Sequence, residues 1–210
     1  MVSLKIKVTI TEEMLGMAAA NKEIYRDFIA KRCETNKVED EIEALPNIDE
    51  EMEKSMTVFH RDETDNPIMF DYQIKGFFKD NILALQNMDD SPLDTKEKQK
   101  KLGLTKYMYK RTMGKLVHIT PRKIKLNIPE GGKMGACSRP LRGETMKGER
   151  IALAHSETVP VDTTLEFEIT ILNKNLLECV MAELEYGKLI GLGQWRNSGK
   201  GRFTYEIIEK

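Results

Sequence analysis

Residues 191–203 read Gly-Leu-Gly-Gln-Trp-Arg-Asn-Ser-Gly-Lys-Gly-Arg-Phe, with glycine at Gly191, Gly193, Gly199 and Gly201. Residues without a Cβ let backbone N–H groups come close to a phosphate chain. Arg196, Lys200 and Arg202 bring cations to the same place, and Trp195 offers a flat face for a base. The chemistry this spacing suits is the holding of a sugar-phosphate strand. The plain alternative is a glycine-rich turn that packs a helix onto a sheet. The loop carries no Gly-Lys-Ser or Gly-Lys-Thr, so it is not a nucleotide P-loop, and the dinucleotide fingerprint requires a strand before it, where this pattern has a helix.

Charge points the same way. The net charge of −1 over 210 residues conceals a segregation. Segment 34–53 holds nine acids against one lysine, and segment 96–150 holds sixteen Lys or Arg against four Glu. Lys and Arg that neutralise phosphates supply most of the nonspecific affinity for nucleic acid. The basic segment ends in a glycine- and arginine-rich stretch carrying Arg139, Arg142, Lys147 and Arg150. Lys75 and Lys79, four apart on a helical pattern, form one further basic face.

Catalytic and metal patterns are missing from this list. His60, His118 and His155 are scattered, and none stands in a nucleophile or metal triad. The acidic run at 34–53 reads as a solvated face. Cys33, Cys137 and Cys179 are odd in number and far apart, with no paired spacing for zinc, and read as reduced structural thiols. The expectation is therefore no catalytic residue, no cofactor and no metal. No run approaches the ~18 apolar residues of a membrane span, which implies no membrane partner and a cytoplasmic protein.

The elements that must position these residues follow from periodicity. Leu4, Ile6, Val8 and Ile10 alternate with polar residues, as do Leu165, Phe167, Ile169 and Ile171, and both runs predict half-buried strands. Phe203, Tyr205 and Ile207 predict a last strand. Val117 with Ile119, and Ile124 with Leu126 and Ile128, predict two short strands separated by Pro121. Helical spacing appears over 21–32, 72–85 and 176–184, the last ending before Gly187. Residues 89–101 are polar and broken by proline, and read as a linker or mobile insertion. Residues 131–150 have hairpin character with too few apolar residues to anchor in a core, so they project or dock on a ligand.

The order strand, helix, strands, strand, helix, strand predicts a single α+β domain over 1–210. Its sheet is ferredoxin-like or RNA-recognition-motif-like, with helices on one face, and insertions fall at 34–65 and 86–156, the second containing the thumb-like arm.

Three stretches then resemble one family. The helix, glycine-rich loop with embedded arginine and closing strand at the carboxyl end resemble the C-terminal signature of the RAMP superfamily, the repeat-associated proteins of CRISPR systems. Residues 66–79, Asn-Pro-Ile-Met-Phe-Asp-Tyr-Gln-Ile-Lys-Gly-Phe-Phe-Lys, resemble the segment leading into that family's RNA-facing helix. Residues 157–167 resemble the start of its penultimate strand. Three departures stand out. Asp71, Tyr72 and Gln73 replace the usual serines and glycine, and Asp162 stands where a glycine is usual. No aspartate occurs at 54–57, where target-cleaving members carry one, although Glu53 and Asp62 flank it.

The resemblance implies a noncatalytic subunit that binds single-stranded guide RNA and associates along it with itself or with other CRISPR effector subunits. Lys75 and Lys79 would meet phosphates. Gly191, Gly193, Gly199 and Gly201 with Arg196, Lys200 and Arg202 would form a cradle. Arg139, Arg142, Lys147 and Arg150 would sit on a thumb hairpin reaching the neighbouring protomer. Two alternatives share the pattern. One is a metal-independent endoribonuclease that processes CRISPR RNA. The other is a phage or mobile-element version that interferes with CRISPR assembly or protects nucleic acid.

Overall fold

A computed structural model describes residues 1–21, 56–145 and 148–209. The helix expected over 21–32 from residue 22 onward, the acidic segment 34–53, Cys33, Glu53 and Lys147 lie outside the described residues.

The main sheet forms as the alternating runs predict. Strand β1 (Val2–Ile10) buries Leu4, Ile6, Val8 and Ile10. It pairs antiparallel with β11 (Thr164–Ile171) on one side and β12 (Phe203–Glu209) on the other, and β7 (Val117–Thr120) completes the order β12-β1-β11-β7. Counted along the chain, this is the fourth-first-third-second order of the ferredoxin-like fold, so the expected α+β class is observed. The outer face sets Lys5 opposite Glu168 and Lys7 opposite Glu166, with Lys5 Nζ 3.9 Å from Glu166. RNA-recognition sheets stack bases on aromatic side chains. The outward positions of β1, β7 and β11 carry Lys, Glu, Ser, Thr and His instead, so nucleic acid must be sought elsewhere.

Helices α1 (Asp71–Leu85) and α4 (Leu177–Ile190) cover the other face through Ile74, Phe78, Ile82, Val180 and Leu184. The sequence pattern ends the second of these before Gly187, but the helix runs through that glycine to Ile190. A side chain at Gly187 would collide with the rings of Phe77 and Phe203, which meet edge to face at 5.9 Å. The glycine is a packing notch inside the helix, not its end.

The expected linker at 89–101 is also folded. Leu93 is fully buried, and the Thr95 hydroxyl accepts the Lys98 N–H to start α2 (Lys96–Leu102), which stops at Gly103 with φ 65°. A further helix, α3 (Tyr109–Leu116), leads directly into β7. Asp162, where the family usually has glycine, holds φ 64°, a conformation that glycine adopts without cost.

The arm is a hairpin of β9 (Gly135–Thr145) and β10 (Gly148–Val159), in register from Gly148 opposite Thr145 to Thr158 opposite Gly135. Its root is anchored after all, because β10 continues into a second sheet. There it pairs with β2 (Met14–Leu15) and runs parallel to β4 (Met56–Val58), which pairs in turn with β3 (Ala18–Ala19). Ser156, Thr158 and Val159 are buried there. A third sheet joins β5 (His60–Arg61), β6 (Pro67–Phe70) and β8 (Lys123–Lys125). The Arg61 guanidinium bonds the Glu157 carboxylate, which also accepts the Phe59 N–H at 3.0 Å, tying β5 to the root of the arm.

Candidate nucleic-acid interface

The glycine loop runs from the end of α4 to β12 and folds back on the start of the chain. A Cβ at Gly201 would collide with the Leu192 carbonyl, and one at Gly193 would stand 2.7 Å from the Leu15 oxygen. Close packing of protein on protein therefore demands these glycines. Their amides follow suit: Leu192 N–H donates to Gly201 O at 2.8 Å, Gly201 N–H to Glu13 O at 3.0 Å, and Gly191 N–H to Gly187 O at 2.8 Å. The amides of Gly193, Gln194 and Trp195 have no partner among the described residues. The open part of the loop is thus its first half, where Trp195 turns the chain with φ 56°.

Each loop cation has an internal acceptor. Lys200 Nζ lies 3.0 Å from Glu13 Oε1, Arg196 Nη2 3.5 Å from Asp80 Oδ2, and Arg202 Nε donates to the Leu189 carbonyl at 3.0 Å. A phosphate would compete with a carboxylate for Arg196 and Lys200.

Arg139 differs from all of these. It points from β9 of the arm into the loop and is only 8% exposed. Its Nη2 donates to Gln194 Oε1 at 2.8 Å, and its guanidinium carbon stands 5.4 Å from the centre of the Trp195 ring. Its Nε and Nη1 are buried with no hydrogen-bond partner among the described residues. Burying a cation costs several kcal/mol unless it is paired. Among the described residues a neutral amide and a ring face meet it, and two donor nitrogens remain for a group carrying acceptor oxygens. The arm and the loop, 55 residues apart in sequence, therefore converge on one guanidinium.

The remaining basic residues divide. On the hairpin, Arg142 Nε lies 4.0 Å from Glu149 on an exposed surface, and Arg150 sits opposite Gly143 in the register. Lys75 and Lys79 are on the far side of α1 from the loop. Lys75 Nζ donates to Gly114 O of α3 at 2.9 Å, and burial, then the charge of Lys79, pushes its ammonium below the usual lysine range. The structure brings Arg139, Trp195 and Arg196 to one region and turns Lys75 and Lys79 away from it.

Histidine chemistry is not assembled here. His60 is buried against the Phe70 ring, and burial, then the neighbouring Arg61 charge, pushes it down to about 3. His155 Nδ1 lies 2.7 Å from Ser138 Oγ, and His118 Nε2 lies 3.1 Å from the Lys115 carbonyl. Asp62 accepts from the amides of Thr64 and Asn66 and organises its own turn. Among the described residues no group of three His, Cys, Asp or Glu is placed to hold a metal ion, and no helix is long and apolar enough to cross a membrane. Of the described cysteines, Cys137 and Cys179 are free, and burial pushes the Cys179 thiol up to about 12.

Sequence reasoning did not single out Asp80 and Gln194, and took Gln73 only as a departure at the helix entry. Gln194 lay inside the singled-out loop but is neither cationic nor aromatic. Gln73 and Asp80 sit seven apart on α1, facing the loop, and that spacing was the available signal.

No protein-family model matches the sequence, and no curated protein is similar to it. Solved structures are similar in fold. A chain of the type III-B Cmr-beta bound to cognate target RNA, seen by cryo-EM, superposes with TM-score 0.52 at 11% identity, over 99% of this chain and 61% of that one. The present chain thus spans less than two thirds of that relative. Cmr6 from Pyrococcus furiosus gives TM-score 0.47 at 9% identity, over 98% of both chains. The fold that the motifs implied is the one this chain shares with the Cmr-beta chain.

Proposed function

We propose that this chain binds single-stranded RNA in the groove where the root of the hairpin meets the glycine loop, as a noncatalytic CRISPR effector subunit. It would associate along the strand with further copies or with other effector subunits. The observation that carries the reading is Arg139, a buried guanidinium with two donor nitrogens unsatisfied among the described residues, beside an exposed tryptophan. A phosphate supplies the missing acceptors, and Trp195 supplies the stacking surface on which single strands are held. The shared fold with a chain of a complex bound to cognate target RNA supports the choice of RNA. The noncatalytic reading is supported by a neutral, buried His60 and by Asp62 being engaged in its own turn.

The test is fluorescence anisotropy with an unstructured RNA of about 25 nucleotides, titrated from low to moderate salt. Affinity should fall by orders of magnitude if several phosphates are neutralised. Replacing Arg139, Arg196, Lys200 and Arg202 together by alanine should abolish it. Salt-independent binding, or full binding by the quadruple variant, would remove the groove from the RNA site.

A further inference from the structure

Gly76 stands in the middle of α1, where a glycine costs about 1 kcal/mol relative to alanine. Packing does not demand it. A Cβ built there meets no atom within 4 Å, whereas one at Gly187 would strike two aromatic rings. The space beside Gly76 belongs to a cleft of about 120 Å³ between α1 and the glycine loop, walled by Met69, Phe77 and Leu192 and edged by Gln73, Asp80 and Arg196. Gln73, Gly76, Phe77 and Asp80 are spaced i, i+3, i+4 and i+7, one stripe of the helix. The absent side chain thus leaves a notch between two polar residues. The cleft is far below the ~300 Å³ at which pockets for free small ligands begin, so it suits one planar group held from outside.

The polar groups specify an edge. Gln73 Oε1 already accepts the Phe70 N–H at 2.8 Å, which leaves its NH2 to donate. The Asp80 carboxylate only accepts, and Arg196 holds it at 3.5 Å. The complement of a carboxylate beside an amide donor is two adjacent N–H groups beside a carbonyl. Among the RNA bases, the Watson–Crick edge of guanine has that order. Adenine and cytosine place an acceptor next to their amino group, and uracil flanks a single N–H with two carbonyls.

We propose that this cleft takes one unstacked guanine of the bound strand, Asp80 accepting from its N1–H and N2–H and Gln73 donating to its O6. The proposal rests on the RNA reading above and adds to it a sequence preference at one nucleotide, in a strand otherwise held by its backbone and by stacking. Single-stranded RNA is commonly read through splayed-out bases in this manner.

The test compares an oligouridine of about 25 nucleotides with versions carrying guanosine, adenosine or cytidine at the same regular intervals, by anisotropy at one salt concentration. The guanosine version should bind the full chain about tenfold more tightly than the adenosine or cytidine versions. Gly76→Ala should melt no lower than the wild type and keep its affinity for oligouridine, yet lose the preference, because the methyl group fills the notch. Asp80→Asn should also lose the preference, since the neutral amide offers one acceptor oxygen where the carboxylate offers two. Equal binding of all the oligomers, or a preference that survives in Gly76→Ala, overturns the proposal alone. If no oligomer binds, the RNA reading falls and takes this one with it.

Discussion

Two guanidinium groups lie at the root of the hairpin, both nearly buried, and the protein treats them oppositely. Arg61 meets the Glu157 carboxylate, with Asp65 at 3.6 Å and the Phe59 carbonyl at 3.4 Å completing its surroundings. Arg139 meets a glutamine oxygen and an indole face, and its Nε and Nη1 have no hydrogen-bond partner among the described residues. A buried ion pair recovers the cost of removing its charges from water only when its hydrogen bonds are made. Arg61 fulfils that condition inside the fold. Arg139 fulfils it only when something else supplies oxygens. The first arginine fastens the arm, and the second is what the fastened arm presents.

The contrast breaks first on stability. Glu157→Ala leaves Arg61 without its partner, and thermal or urea denaturation should show a loss of about 3 kcal/mol, as for breaking a buried pair. An unchanged melting temperature would mean that the Arg61 pair holds nothing together. Arg139→Met should give the opposite signature. Its melting temperature should equal or exceed that of the wild type, because an unsatisfied cation leaves the interior. RNA affinity should drop about tenfold to a hundredfold, the worth of a hydrogen bond to a charged group. A destabilised Arg139→Met that still binds RNA would make both arginines structural.

A smaller effect follows from His60, next to Arg61. The unfolded chain takes up a proton there as pH falls through 6.5, and the folded chain does so only near 3. Stability is therefore complete above pH 6.5 and is lost progressively toward pH 3. Melting curves of His60→Phe over the same range should be flatter than those of the wild type, and parallel curves would deny the buried neutral histidine. The smallest effect is expected at Lys75, which faces α3. Lys75→Ala should change RNA affinity by less than about threefold, within the range of one screened surface charge. A larger loss would extend the RNA track around the other side of α1.

The sequence made the main sheet legible because β1 and β11 each bury one face, and alternation has no competing explanation there, whereas β12 buries only Phe203 at its start. It made α1 and α4 legible through period 3.6. It did not reveal α2, whose Lys-Glu-Lys-Gln-Lys-Lys-Leu run buries no residue and is held by its Thr95 cap, the Gly103 stop and the flanking Leu93 and Leu104. The site was legible in composition and not in geometry. Glycines and cations at 191–202 marked the loop, but spacing cannot show that Gly193 and Gly201 are filled by neighbouring backbone, or that Glu13 and Asp80 hold two of the cations. Arg139 and Gln194 belong to different segments, and only the anchoring of β10 beside β2 and β4 brings them together.

The salt dependence of RNA binding, measured for the wild type and Arg139→Met with one unstructured strand, tests this reading most directly. Each phosphate contact to a single strand contributes about 0.7 to the slope of log affinity against log salt, so the variant's slope should be shallower by about that amount, with weaker binding at every salt concentration. Identical slopes and affinities would mean that no phosphate reaches the buried guanidinium, and the groove between arm and loop would not be where RNA lies.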